Sequence, residues 1–375
     1  MKFTVSSSVL LKQLAAINGV VSTNPIVPIL ENFLFQLDGG SLTVTASDLQ
    51  TVMITEIQVE SSDKGAIAIP AKLLLDTLRG LPEQPIAIKV DNETFGIEIV
   101  SENGRYKLSG ENPIDFPKIP SVNRAFSVEL SSTALMSAIV NTIFATSTDE
   151  LRPAMTGVFL QLGANHATFV ATDGHRLIRY RRFDVKSNVD TTMIIPRKAL
   201  NLLKSSLPSD NVTVKAEFSQ SNAFFSFANI KMICRLIDER FPDYENAIPT
   251  NNPNVLTISR GEILNSLRRI SIYSNRTTHQ IRLKLTPPNE LLISAEDLDY
   301  SNEANERLLC EYNGDEMEIG FNAKFLIEML NNVNSNSLSF ELSAPNRAGI
   351  VVPLEKEDDE EILMLVMPVM LNTYA

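Results

Sequence analysis

The sequence has 375 residues, 44% of them apolar and 21% charged, a length too great for one hydrophobic core and suited to about three domains of ordinary size. Its formal net charge of −12 excludes a surface that is basic throughout, so any contact with nucleic acid must come from how the charge is distributed. No apolar run approaches a membrane span, Met1-Lys2-Phe3-Thr4 leads into polar serines rather than a leader, and Cys234 and Cys310 lie in strand-like apolar stretches; the expectation is a cytoplasmic protein with reduced cysteines.

Phe3–Val5 reads as a short strand. Ser6 to Ser8 then supply N-cap candidates for a helix whose Val9, Leu10, Leu14 and Ile17 fall at helical spacing, with Gly19 as its stop. Alternating runs at Leu42–Val44, Val52–Val59 and Ala66–Ile69 predict strands. Pro70 opens a second helix, where a missing N–H costs nothing, and Leu73, Leu74 and Leu78 form its expected apolar face before Gly80 and Pro82. Ile86–Val90, Phe95–Val100 and Arg105–Ser109 are further alternating strands. The pattern recurs with helices expected near 131–146, 196–208, 259–273 and 322–334, and the proline-rich stretches 113–120 and 242–253 read as linkers.

Short landmarks support three copies. Thr45-Ala46-Ser47-Asp48, Ala171-Thr172-Asp173 and Ser294-Ala295-Glu296-Asp297 resemble one another, with the aspartates 125 and 124 residues apart. Lys72, Lys198 and Lys324 sit in similar helix-opening segments at intervals of 126 and 126. Phe116 and Phe241 are 125 apart, and Pro242 and Pro368 are 126 apart. A unit of that length is a domain rather than a solenoid repeat. The predicted fold is α+β, with domains at 1–121, 122–250 and 251–375, each built from two βαβββ halves with two helices on one face and sheets outside.

The six predicted helices carry ten cations: Lys12, Lys72, Arg79, Arg197, Lys198, Lys204, Arg260, Arg268, Arg269 and Lys324. They carry three acids, Asp76, Glu262 and Glu328, so the helices total +7 and the remainder −12 − 7 = −19. Glu favours helices as much as Lys does, so its scarcity marks a basic helical layer against an acidic exterior.

The middle copy alone continues its tetrad as Gly174-His175-Arg176-Leu177. An Asp and a His so close invite a general-base reading, but no nucleophile accompanies them, the three histidines lack metal-ligand spacing, and no phosphate loop appears; a binding surface is the expectation. The acidic run Glu355–Glu361 lacks the alternation and glycine of a calcium loop and reads as solvated. The Met-rich stretch Leu363–Leu371 suits either core or an adaptable groove.

With these repeats, the 171–177 stretch, Arg240-Phe241-Pro242-Asp243-Tyr244 and Val366-Met367-Pro368, the whole chain resembles the bacterial sliding clamps, the beta-subunit family of the replicative DNA polymerase. The resemblance implies a non-enzymatic processivity factor without metal or cofactor, a head-to-tail homodimer whose six domains surround duplex DNA with twelve helices. Twelve helices about 10 Å apart give a ring about 38 Å across helix axes, wide enough for a duplex. It implies phosphate contacts from Lys12, Lys72, Arg79, Arg197, Lys198, Lys204, Arg268, Arg269 and Lys324, read without base sequence. It implies a subunit boundary at Arg105, Tyr106, Leu108, Ile272 and Tyr273.

The resemblance further implies a pocket for short linear peptides of polymerase, ATP-dependent loader and repair proteins. Its residues would be Arg152, Met155, Thr172, Gly174, His175, Arg176, Leu177, Pro242, Asn246, Ala247, Val366, Met367, Pro368, Val369, Met370 and Leu371. The chain departs from the family pattern at Asn24 and Asn246, where arginine is common, at Pro153-Ala154, where paired tyrosines stand, and in the extra tail Asn372 to Ala375. The competing readings are a non-replicative scaffold of the same fold and an enzyme built on His175.

Overall fold

The computed structural model describes residues 1–120 and 126–371; the expected domain boundary at 121/122 and the tail 372–375 lie outside the described residues. One strand, one helix and three strands recur six times. In the first copy these are β1 (Lys2–Ser6), α1 (Ser7–Ile17), β2 (Asn32–Asp38), β3 (Ser41–Ser47) and β4 (Thr51–Gln58), then β5 (Lys64–Pro70), α2 (Ala71–Arg79), β6 (Pro85–Val90), β7 (Gly96–Val100) and β8 (Arg105–Ser109). The second copy has β9 (Phe126–Ser131), α3 (Ser132–Thr142), β10 (Gly157–Leu162), β11 (Ala167–Thr172) and β12 (Arg176–Arg182), then β13 (Thr191–Pro196), α4 (Arg197–Ser206), β14 (Thr213–Phe218), β15 (Asn222–Phe227) and β16 (Ile230–Arg235). The third has β17 (Asn254–Ser259), α5 (Arg260–Ile270), β18 (Gln280–Thr286), β19 (Glu290–Asp297), β20 (Asn302–Leu309) and a short extra β21 (Glu311–Asn313), then β22 (Met317–Asn322), α6 (Ala323–Asn331), β23 (Ser337–Leu342), β24 (Gly349–Pro353) and β25 (Glu360–Val366).

Within each copy the halves exchange first strands: β1 joins β6-β7-β8, and β5 joins β2-β3-β4. Between copies, last strands pair edge to edge, β4 with β16 and β12 with β25, both antiparallel. The central copy is thereby drawn apart. By contact the chain forms two units, one of Met1–Met136 with Lys198–Leu236, the other of Ser137–Arg197 with the chain from Ile237 onward. The first unit holds a four-stranded sheet, β1-β6-β7-β8, and an eight-stranded one, β5-β2-β3-β4-β16-β15-β14-β9. The second holds a nine-stranded sheet, β13-β10-β11-β12-β25-β24-β23-β17-β21, and a four-stranded one, β20-β19-β18-β22.

Helical spacing places the cores. Leu10, Leu14 and Ile17 of α1 lie one to two turns apart and are fully buried. In α2 the buried face is Leu74, Leu75 and Leu78, while Lys72, Asp76 and Arg79 share the opposite side. Leu73, expected on the apolar face, is 53% exposed, because three consecutive leucines, Leu73 to Leu75, exceed the width of one helical stripe. β2 was not among the predicted strands: its Asn32-Phe33-Leu34-Phe35 run is buried on both faces and shows no alternation.

Neither proline-rich linker is free. Phe116 is buried with Ile29, Leu30, Leu34 and Ala68, and Phe241 and Tyr244 are buried with Val170, Leu177, Ile194 and Leu365. The repeated Phe-Pro landmark is therefore an anchor. The third tetrad is also displaced by one residue. The Ser47 hydroxyl accepts from Leu49 N at 3.2 Å, that of Thr172 from Gly174 N at 3.1 Å, and the Asp297 carboxylate from Asp299 N at 3.2 Å. Ser47, Thr172 and Asp297 pair across their hairpins with Val52, Leu177 and Asn302. Asp297 is thus the counterpart of Ser47 and Thr172, and the position of Asp48 and Asp173 is taken by Leu298.

Candidate functional site

The middle turn is built to close between β11 and β12. Asp173 Oδ1 accepts from the backbone N–H groups of His175 and Arg176 at 2.9 and 3.0 Å, an Asx turn that leaves Gly174 at φ +89°, where a side chain would be strained. A β-carbon there would also come within 3.0 Å of the Arg152 guanidinium, itself held by Asp149 at 2.9 Å. Asp173 Oδ2 meets Arg176 Nε at 3.1 Å.

Arg176 is the centre of the turn. Its buried guanidinium donates to the Phe144 carbonyl at 2.9 Å, pairs with Glu328 at 2.6 Å, and lies over the rings of Phe144 and Phe325 at 5.5 and 4.9 Å. A planar cation suits two aromatic faces and two carboxylates at once; the compact ammonium of a lysine could not serve all of them together. The His175 ring stacks on Phe325 at 5.7 Å and makes no hydrogen bond to Asp173. The orienting contact that a catalytic dyad needs is missing among the described residues, and no metal-binding cluster occurs among them either.

The tail runs beside this turn. After β25, Met367 N donates to the His175 carbonyl and Val369 N to that of Gly320, both at 2.8 Å. The approach is so close that a β-carbon at Gly320 would lie 2.4 Å from the Val369 carbonyl oxygen. The expected pocket residues sort by depth. Thr172, Arg176, Leu177 and Val366 are buried and form floor and frame, with Leu177 in the Phe241–Tyr244 cluster. Arg152, Gly174, His175, Pro242, Asn246, Ala247, Met367 and Met370 are exposed, while Met155, Pro368, Val369 and Leu371 are half-buried. Asn246 donates to Asp243 at 2.7 Å. The result is an apolar floor with a polar, methionine-rich rim. Another depression, of about 600 Å³, lies at the β10–β11 hairpin, is lined by Gln161, Asn165, His166 and Asp190 among others, and contains none of the expected residues.

The helix cations divide into two groups. Arg79 pairs with Asp76 at 2.9 Å, Lys198 with Asp48, and Arg269 bidentately with Glu306 at 2.6 and 2.7 Å, while Arg268 donates to Asn331 at 2.7 Å. Lys12, Lys72, Arg197, Lys204 and Lys324 enter no ion pair among the described residues. Arg260 caps α6 by donating to the carbonyls of Leu330 and Ser335 at 3.0 and 2.8 Å. Of the expected boundary residues, Arg105, Tyr106 and Leu108 lie on the edge strand β8, paired only with β7 among the described residues, and Ile272 and Tyr273 follow α5, 76% and 44% exposed.

Most of the acidic run, Glu355 to Asp359, is the exposed loop expected, but its end, Glu360 and Glu361, lies on β25 and forms half of an ion ladder. Glu361 pairs with Arg179 at 2.8 Å and Arg181 at 3.1 Å, and Arg182 is held by Asp184 at 2.6 Å with Glu357 and Glu360 at 3.8 Å. The buried Tyr180 donates to Glu360 at 2.7 Å, and burial pushes its phenol well up. Glu355 accepts from the Ser335 hydroxyl and the N–H groups of Ser337 and Asn336, which hold its carboxyl below the usual range. The sequence signal was present in Arg179, Arg181 and Arg182 of β12, a cluster that calls for acids on the strand beside it.

Models of the DNA polymerase III beta subunit match consecutive stretches of the chain: the N-terminal domain at 1–120, the central domain at 129–243 and the C-terminal domain at 245–370. Relatives named beta sliding clamp include those of Vibrio cholerae, 29% identical with 99% of this chain and 100% of the relative covered, and Synechococcus elongatus, 29% identical with 100% of each covered. Among solved structures, a sliding clamp of Pseudomonas aeruginosa bound to griselimycin superposes with a TM-score of 0.93 at 29% identity, covering 99% of this chain and 100% of that one. One from Bartonella birtlesii, also bound to griselimycin, gives 0.91 at 29%, with the same coverage.

Proposed function

Because the chain belongs to the DNA polymerase III beta subunit family, we propose that two copies close head to tail into a ring around duplex DNA. The protein is a sliding clamp, a processivity subunit of the replicative polymerase. The observation that carries the ring is the state of the sheets. The eight- and nine-stranded sheets run through a junction between copies, whereas the two four-stranded sheets end at β8 and β20, each paired on one side only among the described residues. Joined across two chains, β8 and β20 would make a third sheet of the same kind, with Tyr106 and Leu108 beside Ile272 and Tyr273.

The role is tethering without turnover, in the cytoplasm, with no helix long and apolar enough to cross a membrane among the described residues. The helix cations would meet phosphate and leave bases unread. Lys12, Lys72, Arg197, Lys204 and Lys324, which enter no ion pair among the described residues, would contribute most. Replacing Lys204 with Ala should shallow the salt dependence of DNA affinity by about one phosphate contact, and replacing Lys198, already paired with Asp48, by less. Equal slopes for the two variants would contradict this sorting.

The site around His175 and Met367–Leu371 would hold an extended peptide with apolar anchors from polymerase, loader or repair proteins. Its apolar floor beneath a rim of backbone and polar groups supports that reading. The experiment is topological: loaded by its ATP-dependent loader, the protein should remain on circular duplex DNA and leave when that circle is linearised. Equal retention on circular and linear DNA would overturn the ring.

A further inference from the structure

The chain builds the same joint twice, and the second copy of the chain would build it a third time. At the first joint β4 lies against β16, and Arg235 N donates to the Gln50 carbonyl at 2.8 Å. At the second, β12 lies against β25, and Met367 N donates to the His175 carbonyl at the same 2.8 Å. Gln50 and His175 are therefore equivalent, and the hairpin register makes Tyr300 their counterpart, 125 residues beyond His175.

Each joint also involves the first turn of a helix from the neighbouring copy. α2, α4 and α6 begin at Ala71, Arg197 and Ala323, so that Lys72, Lys198 and Lys324 are second and Leu73, Ala199 and Phe325 third. At the first joint the second position reaches the turn, Lys198 pairing with Asp48. At the second joint the third position does, Phe325 stacking under His175. The remaining turn and the remaining helix carry apolar residues left in solvent: Leu298 is 75% exposed, Tyr300 65% and Leu73 53%.

We propose that Leu298 and Tyr300 of one chain pack on Leu73, in the first turn of α2, of a second copy, Tyr300 standing over Leu73 as His175 stands over Phe325. The occupant is this same chain because it supplies both halves of a joint already made twice. The strands to be paired are complementary in charge as well: β8 has Arg105 and Lys107 and no acid, and β20 offers Glu303, its Glu306 being held by Arg269 of the same chain. The contact seals with apolar surface a corner that the first joint closes with an ion pair. It rests on the dimer reading and adds to it a helix contact outside the strand edge.

Sedimentation equilibrium of the full chain over nanomolar to micromolar concentration tests it, with circular dichroism confirming that each variant is folded. Leu298→Glu and Leu73→Lys should each weaken dimerisation about tenfold or more, since each leaves an unpartnered charge against an apolar surface. The double variant, with both changes in one chain, should recover most of that loss by forming a Glu–Lys pair across each boundary. A dimeric wild type whose single variants associate as tightly as it does would overturn the placement and leave the dimer reading standing. Single variants that weaken association with no recovery in the double variant would also overturn it. A wild type that stays monomeric throughout would remove the dimer reading itself.

Discussion

The joints of the two units have one backbone and two chemistries. In the first unit the turn after β3 is closed by Leu49 at φ +75° and faced by a lysine paired with Asp48. In the second, the corresponding turn has Gly174 at φ +89°, a buried arginine between two rings and two carboxylates, and a chain tail hydrogen-bonded alongside. The strand pairing is what the fold requires, since it appears in both. The glycine, the arginine and the tail are what one joint adds, and they are the features on which the proposed peptide site rests. A repeated architecture thus separates scaffold from site without reference to any relative.

The largest expected contrast is in the cations. Arg176→Ala leaves Asp173 and Glu328 without their common partner beside two emptied ring faces, and should lower the stability of the second unit by about 2–4 kcal/mol. Lys198→Ala removes a mostly exposed partner and should cost the first unit about 0–1 kcal/mol. Urea denaturation of the full chain, followed by hydrogen exchange within each unit, separates the two; equal losses would break the comparison.

A smaller contrast of opposite sign lies in the glycine and leucine. Gly174→Ala places a β-carbon at positive φ against the Arg152 guanidinium and should cost about 1–2 kcal/mol. Leu49→Gly relieves the same kind of strain and should gain about 1 kcal/mol or less, part of it offset by the freedom glycine has when unfolded. Thermal melts of the two variants check the signs.

The smallest effect is in pH. Hydrogen bonds from Arg182 hold the Asp184 carboxyl below the usual carboxylate range. A depressed folded value means stability present above the unfolded pKa and lost as pH falls through the folded one. The denaturation midpoint should therefore decline as pH drops from about 5 to about 3, the region of carboxylate titration, and Asp184→Asn should decline less steeply. A variant with the same slope as the wild type would remove Asp184 from the account.

Most of the architecture was legible because its signals are local. Helix stripes, turn residues and three lysines at equal spacing suffice to place six helices and the repeat. What stayed hidden depends on partners distant in sequence. β2 carries no alternation because it is covered on both faces, and Leu73 looks like a core leucine until the width of its stripe is known. The end of the acidic run looks solvated until β12 is laid beside β25, 180 residues away, and its acids meet three arginines, Arg179, Arg181 and Arg182. The third tetrad matches by residue type yet sits one position out, because an aspartate there does the work of a serine or threonine hydroxyl. At the candidate site, residue types marked the turn and the tail, but not that Arg176 is a buried frame rather than a contact surface.

The central claim is that the second joint holds a ligand and the first does not. Hydrogen exchange of the full chain, with and without a short peptide bearing Leu and Phe anchors, tests it directly. The account predicts slowed exchange at residues 172–177 and at Met367 and Val369, with residues 48–51 and 230–235 unchanged. Equal slowing at both joints, or none at 172–177, would contradict it.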